Sequence, residues 1–232
     1  MFIQTKGETG LDTLIGAGRL PEISHWQETQ DWEEMLAQVN ELINSEHNFK
    51  TLVIDTLNGA ERMCHEEVCR RDFNGNWTDK GFASYGKGPE VALADWRTLL
   101  SSLDRLRETR RMSIVCLSHT KVKPFKNPEG SDYDRYQPDM HEKSWGLSHK
   151  WADAVLFMNF ETFVDQKDAT KKGKATSSQA RIMYTERHAA YDAKNRFGLP
   201  TEILLGSNGQ ESWNIFLAAL KAGRTQTAKE NE

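Results

Sequence analysis

Three short apolar runs along the chain predict buried strands. They occupy residues 51–54, 112–117 and 154–158, and each is apolar without alternation. Such continuous runs are typical of parallel strands that are covered on both faces. Residues 32–46 and 90–109 instead repeat apolar positions at helical spacing. Strands that alternate with helices in this way predict an α/β fold with a mainly parallel, doubly wound sheet flanked by helices.

Polar and glycine-rich segments separate these elements. Residues 2–5 have the pattern of the end of a further strand. Residues 121–143 contain three prolines, and a connection of this length is expected to be functional or mobile. Residues 165–180 have the composition of an exposed hairpin tip or a disordered insertion. We expect one core over residues 1–205, followed by a C-terminal helix and a polar tail over residues 206–232.

Polar residues directly follow three of the predicted strands. Ligands of doubly wound sheets bind at the carboxyl ends of the strands, so these residues are candidates for a site. Asp55 ends an apolar strand, which is the Walker B pattern, in which the carboxylate holds the hydrated Mg²⁺ of a nucleotide. His119 is placed to reach a γ-phosphate, and Glu8 to orient or deprotonate an attacking water. Taken singly, a helix cap, a surface histidine and a solvated loop acid account for the same residues.

Two cations late in the chain are further candidates for phosphate chemistry. Lys194 and Arg196 flank an asparagine after a predicted strand. Such a pair can stabilise the transition state of phosphoryl transfer, often across a subunit boundary. An exposed turn with solubilising charges is the alternative. The 232 residues contain no G-x-x-x-x-G-K-[ST] sequence, which is the loop that wraps nucleotide phosphates.

Composition limits the cellular compartment and the kind of binding partner that we expect for the chain. The chain has three cysteines, an odd and sparse set that indicates a reduced, cytoplasmic protein without disulfides. No run approaches the roughly 18 apolar residues of a membrane helix, so no membrane contact is expected. Net charge is −4, but residues 121–196 hold 14 Lys and Arg against 11 Asp and Glu, whereas residues 1–120 hold 13 against 19. The later region is therefore the better candidate for contact with a polyanion.

The order of several motifs carries a resemblance over residues 2–220. They are FIQT followed by ETGLDTL, then TLVIDTL, YGKG, a strand that ends in SH, DYDRYQPDMHEK, WADAVLF and AKNRFGLP. In this order they resemble the phage and prophage RecA-like nucleotide-binding ATPases, an AAA-labelled group related to single-strand-annealing recombinases. The KNRFG string is also similar to the motif of bacterial RadA-type branch-migration ATPases.

The resemblance implies a RecA-like P-loop NTPase core that binds ATP and Mg²⁺. It also implies a homo-oligomeric ring or filament that acts on single-stranded DNA in recombination, annealing or replication. Its location would be the cytoplasm of a bacterial host, with other phage recombination proteins as possible partners. The implied roles are metal-binding Walker B acid for Asp55, catalytic carboxylate for Glu8, γ-phosphate sensor for His119, nucleotide contacts for Thr56 and Ser118, and trans-acting cations for Lys194 and Arg196.

The same resemblance places a DNA-contacting loop at residues 121–143. Cations and aromatic side chains are mixed there, as binding of single-stranded DNA requires. The candidates are Lys121, Lys123, Lys126, Tyr133, Arg135 and Tyr136.

Two departures from the family pattern leave alternatives open. Members carry a strand and a phosphate loop before the FIQT-like strand, so we expect an N-terminally incomplete core whose ATP affinity, in this form, is weakened or lost. An inserted Lys6-Gly7 leaves either Lys6 or Glu8 at the position of the catalytic acid. Three interpretations follow: a truncated DNA-dependent ATPase, a non-catalytic module that binds DNA or a partner, and a metal-dependent nuclease built on Asp55, Glu8 and His119.

Overall fold

The computed structural model describes residues 1–165 and 174–230 in two compact units. The first unit comprises Met1–Lys121 and Pro138–Trp151, and the second comprises Val122–Gln137 and Ala152–Glu232. The centre of the segment predicted as an exposed tip or insertion, residues 166–173, lies outside the described residues.

A parallel three-stranded sheet forms the centre of the first unit. Its strand order is β1-β2-β3, with Gln4 opposite Asp55 and Ile54 opposite Cys116. The strands are β1 (Phe2–Gln4), β2 (Thr51–Asp55) and β3 (Ser113–Cys116), and the helices are α1 (Gly10–Gly16), α2 (Trp32–Asn44), α3 (Leu57–Asp72), α4 (Lys87–Arg110) and α5 (Glu142–Trp151). A parallel sheet flanked by helices confirms the predicted α/β fold.

Helices α2, α3 and α4 bury their apolar stripes against this sheet. Trp32 of α2 and Trp96 of α4 stack at 6.1 Å between ring centroids, and both are almost fully buried. The carboxylate of Asp31 accepts a hydrogen bond from the Glu34 N–H at 2.8 Å and so begins α2. The apolar periodicity of the two long helices therefore reports which faces form the core.

Strand β3 differs from the prediction that both of its faces are covered. Among the described residues it pairs only with β2, so it lies at the edge of the sheet. Val115 and Leu117, at and just beyond its end, are 41% and 37% exposed. The apolar run in the sequence correctly located this strand. In the part of the chain that the structure describes, however, one hydrogen-bonding edge of the strand is unpaired, and the face that carries Val115 and Leu117 is partly exposed.

The remaining strands are β4 (Thr120–Phe125), β5 (Tyr133–Pro138), β6 (Ala154–Val155), β7 (Phe157–Asp165), β8 (Lys174–Tyr184), β9 (Lys194–Asn195) and β10 (Glu202–Leu204), and α6 (Gly209–Glu230) follows them. Strands β4 and β5 pair with each other, so much of the polar 121–143 connection is a β-hairpin.

The prediction of a buried parallel strand at residues 154–158 is wrong. The run divides into β6, which pairs antiparallel with β9, and the start of β7, which pairs antiparallel with β8. Phe157 is buried and Met158 is 58% exposed, which is the alternation of an antiparallel strand with one open face. Of the described residues, no helix is both long and apolar enough to cross a membrane.

Gly59, in the first turn of α3, provides a test of how closely this helix approaches the end of β1. A Cβ atom at Gly59 would lie 1.9 Å from Thr5 Oγ1 and 2.6 Å from Thr5 Cβ, so one of the two segments would have to move. We expect Gly59→Ala to lower the free energy of unfolding by about 1–3 kcal/mol, measured by urea denaturation.

The matched control is Gly146→Ala in the middle of α5, where an added Cβ meets nothing within 4 Å. There, alanine should leave stability unchanged or raise it by up to about 1 kcal/mol, because alanine favours helix. Equal effects of the two substitutions would contradict the close approach of α3 to Thr5.

Candidate functional site

Thr5 joins the carboxyl ends of β1 and β2. Its buried hydroxyl oxygen accepts a hydrogen bond from the Thr56 N–H at 2.9 Å, and the hydroxyl O–H donates to the Asp55 carbonyl at 3.2 Å. The Thr5 N–H also donates to the Asp55 carbonyl at 2.7 Å. Because both strands are parallel, the chain leaves them at the same edge, and these bonds fix the two exits against each other.

Glu8 lies between the exits of β2 and β3. The Thr56 hydroxyl donates to Glu8 Oε1 at 3.2 Å, and the same hydroxyl oxygen accepts from the Gly59 N–H and so caps α3. The imidazole Nε2 of His119 also lies 3.2 Å from Glu8 Oε1. The structure therefore brings together the predicted acid, the predicted sensor and a predicted nucleotide contact.

The turn after β1 determines which of Lys6 and Glu8 enters this group. Gly7 adopts φ +95°, a left-handed conformation that favours glycine, and its N–H donates to Glu28 Oε1 at 2.6 Å. Lys6 is exposed, whereas Glu8 contacts both Thr56 and His119. Glu8 is thus the residue of the two that lies beside Asp55.

The surroundings of Asp55 disfavour the negative charge of its carboxylate. Burial, and then the charge of Glu8, raise the pKa of the Asp55 carboxyl above its usual range, while His119 acts in the opposite direction. The described residues include no group of three or more His, Cys, Asp or Glu side chains that could hold a metal ion. Asp55, Glu8 and His119 are therefore not grouped as the ligands of one metal ion, whereas a single carboxylate such as that of Asp55 can contact a hydrated cation.

Asn58 is a residue of this region that sequence reasoning missed. Its Oδ1 accepts hydrogen bonds from the His119 N–H at 2.8 Å and from the Ser118 hydroxyl at 3.1 Å. Its Nδ2 donates to the Asp139 carbonyl at 2.6 Å. The sequence feature that could have indicated Asn58 is its position three residues after Asp55, in the first turn of the helix that follows. Ser118, a predicted nucleotide contact, is in this structure bonded to Asn58.

Lys194 and Arg196 belong to the second unit, where a tight turn holds them. Asn195 builds the turn, since its Oδ1 accepts from the Phe197 N–H at 2.9 Å and its Nδ2 donates to the Leu199 carbonyl at 2.8 Å. Arg196 pairs with Asp153 at 3.1 Å and keeps a largely exposed side chain. Lys194 donates to the Ala152 carbonyl, and burial followed by the charge of Arg196 lowers the pKa of its ammonium group.

Helix α6 packs against the backbone of this turn at Gly223. A Cβ atom at Gly223 would lie 2.3 Å from the Phe197 carbonyl oxygen and 2.5 Å from that of Gly198. These are backbone atoms that cannot rotate away, so only glycine allows the helix to lie this close. The C-terminal helix is thus packed directly against the motif that carries Lys194 and Arg196.

Five of the six predicted DNA-contacting residues are exposed or half-buried, whereas Arg135 is buried. Lys123 and Lys126 are exposed on or beside β4, and Lys126 pairs with Asp132. Tyr133 packs on Phe125 with 5.2 Å between ring centroids, and Tyr136 is 38% exposed. Lys121, in the first unit, pairs with Asp139.

Arg135 differs from the other predicted DNA contacts, because the structure gives it an internal role. It is 5% exposed, pairs with Asp192 and donates to the Tyr191 carbonyl at 3.1 Å. Its guanidinium also lies 5.4 Å from the ring centroid of Phe125. A buried arginine that is paired in this way holds the hairpin to the 191–192 segment and is not exposed to a phosphate.

A comparison with protein families yields a match over most of the chain. A family model described as "AAA domain" matches residues 6–197. The matched span contains Glu8, Asp55 and His119 as well as the Lys194–Arg196 turn. No curated protein shows a significant match to the chain.

The charge at Asp55 predicts that Asp55→Asn raises stability at neutral pH. The folded protein binds the Asp55 proton more tightly than the unfolded chain does, so ionisation of this carboxyl opposes folding. The difference in melting temperature between Asp55→Asn and the unchanged protein should be smallest below about pH 4. It should widen as pH rises through the ordinary carboxyl pKa towards the raised one.

The control for this measurement is Asp79→Asn, in the exposed loop after α3. It removes one negative charge at a site without the burial of Asp55, so its effect on melting temperature should be small. A melting temperature of Asp55→Asn at or below that of the unchanged protein at neutral pH would contradict the proposed electrostatic cost.

Proposed function

The chain belongs to the AAA domain family of P-loop-type ATPases, and we propose that it is a RecA-like ATPase that acts on single-stranded DNA. Its role would be in phage recombination, annealing or replication, in the cytoplasm of a bacterial host. The observation that carries the proposal is the convergence of Glu8 and His119 on the end of β2, where Asp55 lies.

Asp55 has the properties expected of the residue that faces Mg²⁺–ATP. Its raised pKa reports negative charge that burial and Glu8 leave poorly compensated, and a divalent cation would compensate it. The bound Mg²⁺–ATP would supply the phosphoryl group and neutralise the charge that develops on its oxygens.

Two hydrogen bonds restrict the orientation of the Glu8 carboxylate, as the role of a general base requires. The Thr56 hydroxyl and the imidazole of His119 both bond to its Oε1, so the carboxylate cannot rotate freely. A carboxylate that is fixed in this way can accept a proton from water that lies at the strand ends. His119, whose side chain is 66% exposed, presents its imidazole to the same space and can donate a hydrogen bond there.

The phosphate-binding loop of the family has no counterpart in the 232 residues. The experiment therefore uses two proteins: the chain as printed, and the chain extended by translating the codons directly upstream of Met1 in the source DNA. Restoration of tight ATP binding by the extension would support the ATPase. If neither protein binds ATP, while single-stranded DNA still binds in a salt-dependent way, the non-catalytic module becomes the better interpretation.

We predict that Glu8→Gln lowers the rate of ATP hydrolysis by about 10²–10⁴-fold and leaves Mg²⁺–ATP affinity nearly unchanged. The amide keeps the shape of Glu8 but cannot accept a proton from water. Steady-state hydrolysis and fluorescent-nucleotide binding, measured with the protein that binds ATP, separate the two effects. Glu22→Gln, an exposed carboxylate in the loop between α1 and α2, is the matched control. Equal rates for Glu8→Gln and the control would exclude Glu8 as the base.

We further propose that the β4–β5 hairpin contacts the DNA backbone through Lys123 and Lys126, with Tyr133 and Tyr136 available for base stacking. Assembly into a ring or filament would let Lys194 and Arg196 act at the nucleotide of a neighbouring subunit. The exposed guanidinium of Arg196 supports the second part of this proposal.

Lys123→Ala should weaken binding to a thymidine oligonucleotide and lower the slope of log K against log salt by about 0.7, the contribution of one phosphate contact on a single strand. Fluorescence anisotropy over a range of salt concentrations measures both quantities. The control is Lys50→Ala, an exposed lysine directly before β2. A slope that falls equally in both variants would assign the effect to net charge and contradict a contact at the hairpin.

A further inference from the structure

Five aromatic side chains of the second unit pack on one another. The ring centroid of Tyr191 lies 4.8 Å from that of Phe157, 4.7 Å from that of Tyr184 and 5.2 Å from that of His188. Tyr136 in turn packs on Phe157 with 5.2 Å between centroids. These distances are typical of offset stacking between aromatic rings. We call this group, Tyr136, Phe157, Tyr184, His188 and Tyr191, the aromatic array.

Backbone pairing places the rings of the array side by side. Phe157 of β7 lies opposite Tyr184 of β8, and Tyr136 lies opposite Tyr191 in an isolated parallel bridge. The Tyr136 N–H also donates to the Ala190 carbonyl at 2.8 Å. The positions of the rings are therefore set by the backbone, so a ligand would meet an array that is already assembled.

A two-residue turn fixes His188 at one end of the array. The His188 N–H donates to the Tyr191 carbonyl at 3.2 Å, and the Tyr191 N–H donates to the His188 carbonyl at 3.3 Å. The Nδ1 atom of His188 accepts a hydrogen bond from the Ala190 N–H at 3.2 Å. This last bond restricts rotation of the imidazole, so the plane of the ring is held beside Tyr191.

The array is only partly covered, unlike an aromatic core. Phe157 is buried, and Tyr184 and Tyr191 are half-buried, whereas Tyr136 and His188 are exposed. The two exposed rings lie at the ends of the array, Tyr136 on Phe157 and His188 on Tyr191. A planar group that stacked on either end would remove aromatic surface from water.

The charges around the array are not those of a phosphate-binding surface. Burial, and then the charges of Glu202 and Glu161, raise the pKa of the Tyr184 hydroxyl, so carboxylates lie near that side of the array. Next to His188, the exposed Arg187 is balanced by the exposed glutamate before it. We therefore expect a ligand of the array to be held mainly through its planar faces, which every nucleobase has.

We propose that the aromatic array is a base-stacking surface, in which one base of single-stranded DNA stacks on His188 and another on Tyr136. This inference rests on the proposed function for its ligand, and it extends the stacking surface from the β4–β5 hairpin to the turn at residues 188–191. Tyr136 connects the two, because it belongs to β5 of the hairpin whose β4 carries the exposed Lys123. The hairpin thus supplies a cation for phosphates, and the array supplies faces for bases.

His188→Asn is the most selective variant. The Oδ1 atom of asparagine can replace Nδ1 as the acceptor for the Ala190 N–H, so the turn keeps its bond while the ring is lost. His188→Trp restores a large stacking face. The matched control is His47→Asn in the first unit, because the Nδ1 atom of His47 accepts from the Phe49 N–H at 3.2 Å in the same local pattern.

The readout is fluorescence anisotropy with two probes: a thymidine oligonucleotide, and an abasic oligonucleotide of equal length that has the phosphates without the bases. His188→Asn should weaken binding of the thymidine probe about tenfold, the effect of losing one stacked base. His188→Trp and His47→Asn should bind this probe at least as tightly as the unchanged protein. The abasic probe should bind to all four proteins equally, with the same slope of log K against log salt, because no phosphate contact is removed.

The outcomes separate this inference from the proposed function. Equal affinity of His188→Asn and His47→Asn for the thymidine probe would overturn stacking on His188. An equal loss with the abasic probe would assign the effect to the fold and would overturn it too. If the unchanged protein bound both probes equally tightly, the DNA function would stand and the array would fail as a base-stacking surface. Binding of neither probe would contradict both.

A second variant tests the other end of the array if His188→Asn does not fold. Tyr136→Leu keeps an apolar side chain on Phe157 but removes the exposed ring. It should weaken binding of the thymidine probe by a similar factor and leave binding of the abasic probe unchanged. An unchanged affinity for the thymidine probe would contradict stacking on Tyr136.

Discussion

The hydrogen bonds of Thr5 at the ends of β1 and β2 are the constraint on which the candidate site depends. One hydroxyl satisfies the Thr56 N–H and the Asp55 carbonyl at the point where both strands end. This bonding leaves so little room that the first turn of α3 needs glycine at position 59. Because α3 starts there, Thr56 reaches Glu8 and Asn58 reaches the exit of β3. Asp55, Glu8 and His119 are neighbours as a consequence of this one junction.

Local patterns were sufficient to locate most of the first unit. The helical periodicity of residues 32–46 and 90–109 and the apolar run at residues 51–54 correspond to α2, α4 and β2, because burial of one face is recorded in neighbouring residues. The prediction for residues 154–158 was wrong because it, too, relied on a local pattern alone. An apolar run indicates burial, but the direction of a strand depends on its partner, and the partners β8 and β9 lie later in the chain.

The site was predictable to the extent that it follows strand ends. Asp55, His119 and Glu8 each follow an apolar run, and parallel strands bring such residues to one edge. Asn58 escaped this reasoning, because its importance comes from Asp139, 81 positions away in sequence. The internal pairing of Arg135 also escaped sequence reasoning, for a similar reason. Its partner Asp192 is 57 positions away, and only that pairing reveals that the arginine lies inside the second unit.

The electrostatics of the junction oppose ionisation of Asp55. Burial and a neighbouring carboxylate both raise the pKa of Asp55, so the folded protein bears a cost for keeping this residue ionised at neutral pH. Natural sequences commonly retain such a cost where a function needs the charge. Replacing the acid by an amide of the same shape would remove the cost. In the function proposed above, the Mg²⁺ of a bound nucleotide would offset this cost.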